Sequence, residues 1–106
     1  MKKYNVLLVC GGGTSTGFMA ANMRKVAKQM GMDIEIKSRS ETEVEVYAPD
    51  ADCIMLGTHL AYLEDEMKQR TKEHNCAVFV MDKSYYSTLD GEGAINDMLK
   101  HMEGKA

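Results

Sequence analysis

No stretch of this chain is rich in lysine and arginine, and its formal net charge is −3 at pH 7. Nucleic-acid binding relies on cations clustered against phosphates, so this charge pattern argues against that class of partner. Long hydrophobic runs are missing as well. After Met1-Lys2-Lys3-Tyr4-Asn5, the apolar stretch from Val6 to Cys10 is ended by glycines. A secretory signal needs a longer apolar core and a small-residue cleavage site, and a membrane span needs roughly 20 apolar residues. The expectation is a domain that works in the cytoplasm and is not itself inserted in a membrane. The three cysteines, Cys10, Cys53 and Cys76, form no C-x-x-C pair and are odd in number. Their spacing points away from a disulfide framework or zinc site and towards a reducing compartment. No carboxylate/histidine spacing specifies a metal, and nothing in the chain calls for a cofactor.

What the chain does contain is an ordinary globular mixture, 44% hydrophobic and 27% charged over 106 residues. That length supports a single core. Most of the ten methionines occupy apolar-face positions, where their flexible side chains fill irregular gaps. With no repeat, linker or low-complexity segment, residues 1–106 read as one domain.

Tyr4 to Val9 is short, aliphatic and β-branched, and Gly11-Gly12-Gly13 stops it. It reads as a strand buried on both faces, as in parallel sheets. Thr14-Ser15-Thr16 then supplies helix N-cap residues. Met19, Met23, Val26, Ala27 and Met30 recur at helical spacing, with Gly31 placed as a C′ glycine. Asp33 to Lys37 alternates as a half-wet strand, while Ser38 to Pro49 is acidic and fits either a short helix or a turn. Cys53 to Leu56 and Ala77 to Met81 are two further buried strands. A helical pattern through Leu60, Leu63, Met67 and Arg70 separates them. Lys83 to Asp90 reads as a loop, and Asp90-Gly91 opens a last helix carrying Ala94, Ile95, Met98, Leu99 and Met102.

This order of elements predicts an α/β, doubly wound domain with a four-stranded parallel sheet flanked by helices. Right-handed crossovers make 2-1-3-4 the simple strand order. Ligands of such sheets lie beyond the carboxyl ends of the strands, where the order reverses. Here that point is the loop after the first strand, which begins at Cys10.

The segment Cys10-Gly11-Gly12-Gly13-Thr14-Ser15-Thr16-Gly17 joins a buried strand to a helix start. Glycines let backbone N–H groups turn inward into an anion-binding nest, and the helix start adds unpaired N–H groups with partial positive charge. A thiol at the mouth of this cradle is expected to ionise readily, and the cradle is suited to a phosphoryl group in transit. The candidate catalytic residue is therefore Cys10, with Gly11, Gly12, Gly13, Thr14, Ser15 and Thr16 as candidate phosphate-binding residues. The same residue types also serve a tight turn with a structural cysteine, since cysteine is often buried. The position at the switch point favours the chemical reading.

The stretch resembles the phosphorylation loop of the lactose/cellobiose-type IIB components of the bacterial phosphoenolpyruvate-dependent sugar phosphotransferase system. These have an apolar strand, a cysteine, a glycine-containing link and Ser-Thr opening the first helix. The resemblance runs nearly the length of the chain, through Asp50-Ala51-Asp52, Gly57, Leu60-Ala61-Tyr62, Tyr86 and Leu89-Asp90-Gly91. It departs from the family at Thr14, Gly17 and Thr58-His59. The resemblance implies a IIB-type phosphocarrier domain with the family's four-stranded parallel sheet. It also implies a phosphoryl relay from a phosphohistidine of the IIA component to Cys10. From there the group passes to a sugar, by family default a β-linked disaccharide such as cellobiose or lactose, held by the membrane IIC component. Such a chain would be cytoplasmic and transiently at the inner membrane face. Both partners must meet one face around the loop, with Phe18 and Met19 as candidate apolar rim residues.

Two other readings use a reactive cysteine. A low-molecular-weight tyrosine-phosphatase-like site needs an arginine six places after the cysteine, where Thr16 stands, and an Asp-Pro dipeptide, whereas Ala48 precedes the one proline, Pro49. A redox-sensing domain needs a resolving thiol, and Cys53 and Cys76 both read as structural. His74 and His101 read as solvated, as do Arg24 and Lys25. His59 follows the third strand on the Cys10 edge.

Overall fold

Four consecutive aliphatic residues, Val6 to Val9, cannot hide on one face of a strand, because successive side chains point to opposite sides. Both faces must be covered, and the fold is the result. In a computed structural model, which describes residues 3–11, 15–74 and 76–105, β1 spans Tyr4–Cys10 and lies in the middle of the sheet. It pairs in parallel with β2 (Ile34–Ser40) on one side and β3 (Cys53–Leu56) on the other. β4 (Ala77–Val80) pairs in parallel with β3, which gives the order β2-β1-β3-β4 expected from the crossover rule.

Two cores form, one on each face. Val6 and Leu8, with Cys53, Met55 and Phe79, face Met19, Ala20 and Met23 of α1 (Ser15–Gln29) and Ala94, Ile95 and Met98 of α5 (Gly91–Lys105). Leu7 and Val9, with Ile54 and Leu56, face the other layer. That layer includes Val44 of α2 (Val44–Tyr47), Leu60, and Met67 of α3 (Glu64–Arg70). Among the described residues no helix is long and apolar enough to cross a membrane.

Helix α1 ends as its glycine suggests. Gly31 has φ 71°, its N–H bonds Lys28 O at 3.2 Å, and Met32 N–H bonds Ala27 O at 2.9 Å. This paired closure satisfies carbonyls that the last turn leaves open. Met30 belongs to the helical periodicity yet is 45% exposed, because the closing turn rotates it off the apolar face.

The segment that sequence left between helix and turn resolves into one compact run. Ser40 starts it: its Oγ accepts from Thr42 N, and Glu43 Oε2 accepts from Ser40 N at 3.1 Å. Short helical turns at Glu41–Glu43, Val44–Tyr47 and Ala48–Asp50 follow. Arg70 holds this run to α3. Its guanidinium donates to both carboxylate oxygens of Glu45 and to Glu41 O at 2.9 Å. The arginine beside it draws the Glu45 carboxyl down to about 2.

The loop expected over residues 83 to 90 contains a further helical turn, α4 (Lys83–Tyr86), capped by Asp82, whose Oδ1 accepts from Ser84 N at 2.8 Å. Asp90 caps α5 in the same way, accepting from Gly93 N at 3.1 Å. Between them Leu89 takes φ 55°, and its carbonyl accepts from Asn22 Nδ2 of α1 at 2.7 Å. His101 is more than a solvated side chain: it stacks on the buried Phe79 with ring centroids 3.8 Å apart.

Two stability predictions follow from these contacts. A methyl group on Gly91 would stand 2.6 Å from the backbone carbonyl of Asn22, so α5 must separate from α1 to admit it. Gly91→Ala should therefore lower stability in urea unfolding by about 2 kcal/mol. The Glu45 carboxyl has a lowered pKa in the fold, so its contribution is present above the unfolded value and lost as pH falls through about 2. Wild-type stability should drop more steeply than that of Glu45→Gln over that acid window. The two should differ by about 1 kcal/mol at neutral pH after solvent screening, and less in high salt.

Candidate functional site

Strand β1 reverses the sheet order, so its carboxyl end is flanked on both sides by chains running the same way. Cys10 is its last residue, opposite Ser40 of β2. Strand alternation puts the Cys10 side chain on the same face as Val6 and Leu8, beneath the start of α1. There Thr16 Oγ1 donates to Cys10 Sγ at 3.4 Å. Both residues are buried, Cys10 at 1% exposure and Thr16 at 0%. Sequence placed the thiol at the open mouth of a cradle, whereas the fold encloses it, because the first turn of α1 sits directly against the strand end.

The candidate residues divide accordingly. Cys10 and Thr16 are brought into contact, and Gly11 is exposed next to them. Gly12, Gly13 and Thr14 lie outside the described residues, as does the Ser15 side chain. The hydroxyl of Thr16 lies between Cys10 Sγ and Ser38 Oγ.

Two residues that sequence did not single out complete the arrangement. Ser38 Oγ lies 2.5 Å from Thr16 Oγ1, and Ser40 Oγ donates to Gly11 O at 3.0 Å. The signal was present. With β2 beside β1, burial of Ile36 puts Ser38 and Ser40 on the α1 face at the Cys10 end. Ending the strand at Lys37 concealed it, since β2 continues three residues further. Arg24 is also engaged: its Nε and Nη2 donate to Ile36 O at 3.2 and 2.6 Å, fastening α1 to the edge strand.

Around this edge the surface is mixed. Phe18, in the first turn of α1, is 66% exposed, and Tyr62, in the helical turns after β3, is 78% exposed. Met19, expected on the rim, is fully buried in the core beneath α1. His59 is exposed and lies across Gly57, whose N–H extends the pairing to Val9 O at 2.8 Å. Cys53 is buried in β3 and Cys76 is half-buried before β4.

The comparisons agree with this fold. Residues 5–97 match the family model described as PTS system, Lactose/Cellobiose specific IIB subunit. The chain is 28% identical over 102 residues to the PTS system oligo-beta-mannoside-specific EIIB component of Bacillus subtilis (strain 168), covering 96% of this chain and 97% of that one. Its fold is similar to the lactose-specific IIB component domain of Streptococcus pneumoniae, with a TM-score of 0.85 at 19% identity over 94% of this chain and 98% of that one. It is also similar to the cellobiose-specific IIB component from Borrelia burgdorferi, with a TM-score of 0.80 at 23% identity over 99% and 96% of the two chains.

Thr16→Val keeps the shape of the side chain and removes its hydroxyl, so that Cys10 Sγ and Ser38 Oγ each lose one contact. Thermal and urea unfolding should show a loss of about 1–3 kcal/mol.

Proposed function

The chain belongs to the lactose/cellobiose-specific IIB family of the sugar phosphotransferase system, and from that premise we propose that Cys10 is the residue that carries the phosphoryl group. IIB components are phosphotransferases that work in sugar uptake with a IIA donor and a membrane IIC component. The observation that carries the assignment is the placement of Cys10 at the switch point of the sheet with a buried hydroxyl donating to its sulfur.

In the forward half-reaction the Cys10 thiolate attacks the phosphorus of the IIA phosphohistidine in line. The S–P bond forms as the N–P bond breaks, and the electron pair returns to the imidazole. In the second half, a sugar hydroxyl held by IIC attacks the same phosphorus. The sulfur leaves as thiolate, and the hydroxyl proton goes to a base beside the sugar. Backbone N–H groups of Gly11, Gly12, Gly13, Thr14, Ser15 and Thr16, with the Thr14 and Ser15 hydroxyls, hold the equatorial oxygens, where partial positive charge at the start of α1 favours them. The Thr16 hydroxyl serves the sulfur instead. A sulfur this enclosed is reached when neighbouring atoms yield.

The family's default substrate, a β-linked disaccharide such as cellobiose or lactose, is the proposed acceptor, and the cytoplasmic face of the membrane is the proposed place of work. Thr16 stands where a phosphatase would carry its arginine. A threonine hydroxyl cannot clamp phosphate as a guanidinium does, so the phosphocysteine persists long enough to be passed on.

Intact-mass spectrometry after mixing with a phosphorylated lactose/cellobiose-type IIA should show one phosphoryl adduct, slow to hydrolyse and mapped to Cys10. Cys10→Ser should show none, because a serine hydroxyl is scarcely ionised near neutral pH. Unimpaired sugar phosphorylation by that variant would refute the assignment.

A further inference from the structure

We propose that Ser38 is a positioning residue for the Cys10 sulfur, acting through the Thr16 hydroxyl; this rests on the reading of Cys10 as the phosphoryl carrier. Thr16 Oγ1 has a single proton and lies 3.4 Å from Cys10 Sγ and 2.5 Å from Ser38 Oγ. When that proton goes to the sulfur, the Ser38 contact can be a hydrogen bond only if Ser38 donates to Thr16. The chain then runs Ser38 Oγ–H to Thr16 Oγ1–H to Sγ, with every dipole directed at the sulfur. Thr16 is fully buried, so water does not compete for its hydroxyl, and each bond polarises the next.

The polarity of this chain selects a charge state. A hydroxyl donates strongly to an anionic sulfur, whereas a thiol is a weak donor when the three protons are turned the other way. Both orders use the same heavy-atom positions, so when the thiol gives up its proton to solvent the two hydroxyls turn towards the sulfur with no heavy atom moving. That suits a relay, in which the sulfur is nucleophile towards IIA and leaving group towards the sugar and is a thiolate in both roles.

The distance is fixed from both ends. Ser38 is held by strand pairing opposite Leu8 of β1. Thr16 is held through α1, which Arg24 fastens to Ile36 O of the same strand. Two residues along, Ser40 takes Gly11 O from the same face. The edge strand thus braces the loop at two points, and the Ser38 branch reaches the sulfur through a proton chain.

The test compares Ser38→Ala and Ser38→Thr with wild type, after circular dichroism has shown that each is folded. The first arm follows alkylation of Cys10 against pH by peptide mass mapping, with no phosphoryl donor present. Ser38→Ala should raise the apparent thiol pKa by about one unit, and Ser38→Thr should restore it. The second arm follows phosphoryl uptake from phosphorylated IIA. Ser38→Ala should be slowed roughly three- to tenfold at neutral pH, the loss of thiolate being partly offset by the greater nucleophilicity of a more basic sulfur. The defect should vanish at alkaline pH. An unchanged thiol pKa in Ser38→Ala overturns the proposal, and so does a rate defect that is equal at every pH. The alkylation arm decides the role of Ser38 by itself, so a wild-type chain that accepts no phosphoryl group would fell the relay and not this contact.

Discussion

Strand β1 hydrogen-bonds to a neighbour on each side while its side chains enter a core above and a core below, and this double coverage governs everything else in the molecule. Buried backbone groups must be paired, and a strand with both edges occupied meets most of them through its neighbours, with Asn5 N–H taken by the Asp52 carboxylate at 2.8 Å. A parallel neighbour on each side requires a crossover on each side. Those crossovers are α1 on one face and the short helical run around α2 on the other. The chain therefore has to leave β1 at its carboxyl end by turning sharply upward into α1. The residue at that turn is Cys10.

The coverage is uneven, and the unevenness shapes the site. Helix α1 is 15 residues long and lies close against the strand end. α2 is only four residues long, and its place in the layer depends on Arg70 bridging to Glu45 and Glu41. The long helix brings Thr16 down onto the sulfur and leaves Phe18 outside. The sulfur proposed to carry the phosphoryl group is thus kept under a buried hydroxyl, while an aromatic two residues further along the helix stands exposed. The contact at Gly91, too close for any side chain, packs α5 beside α1 on the same face of the sheet.

A phosphoryl carrier must bind the group firmly enough to hold it and loosely enough to give it up. A guanidinium clamp beside the cysteine would serve hydrolysis by gripping phosphate oxygens through the transition state. Here the corresponding position holds a threonine whose hydroxyl meets sulfur. In the proposed relay, that contact favours the atom that would be anionic both before attack and after release. The serines of β2 belong to the same logic, since they reach the loop from a strand whose position is fixed by backbone pairing and not by side-chain packing alone.

Much of the architecture was legible in the residues. Runs such as Val6-Leu7-Leu8-Val9 and Cys53-Ile54-Met55-Leu56 announce strands covered on both faces, Gly31 announces a helix end, and the alternation of strands and helices leaves few topologies. The switch point, and with it the prominence of Cys10, follows from that order. The segments from residues 41 to 50 and 83 to 90 were less legible, because their short helical turns are held by caps and by Arg70 and carry too few residues for a period to emerge. Local propensity and the period of the apolar pattern thus determined the elements, their order and the residue at the turn. Tertiary structure alone decided that the thiol is enclosed, that Met19 is core while Phe18 is surface, and that Ser38 and Ser40 serve the Cys10 loop. Those outcomes depend on register between strands far apart in the chain and on how closely a helix start approaches a strand end. Neither is written in the spacing of residues along one segment.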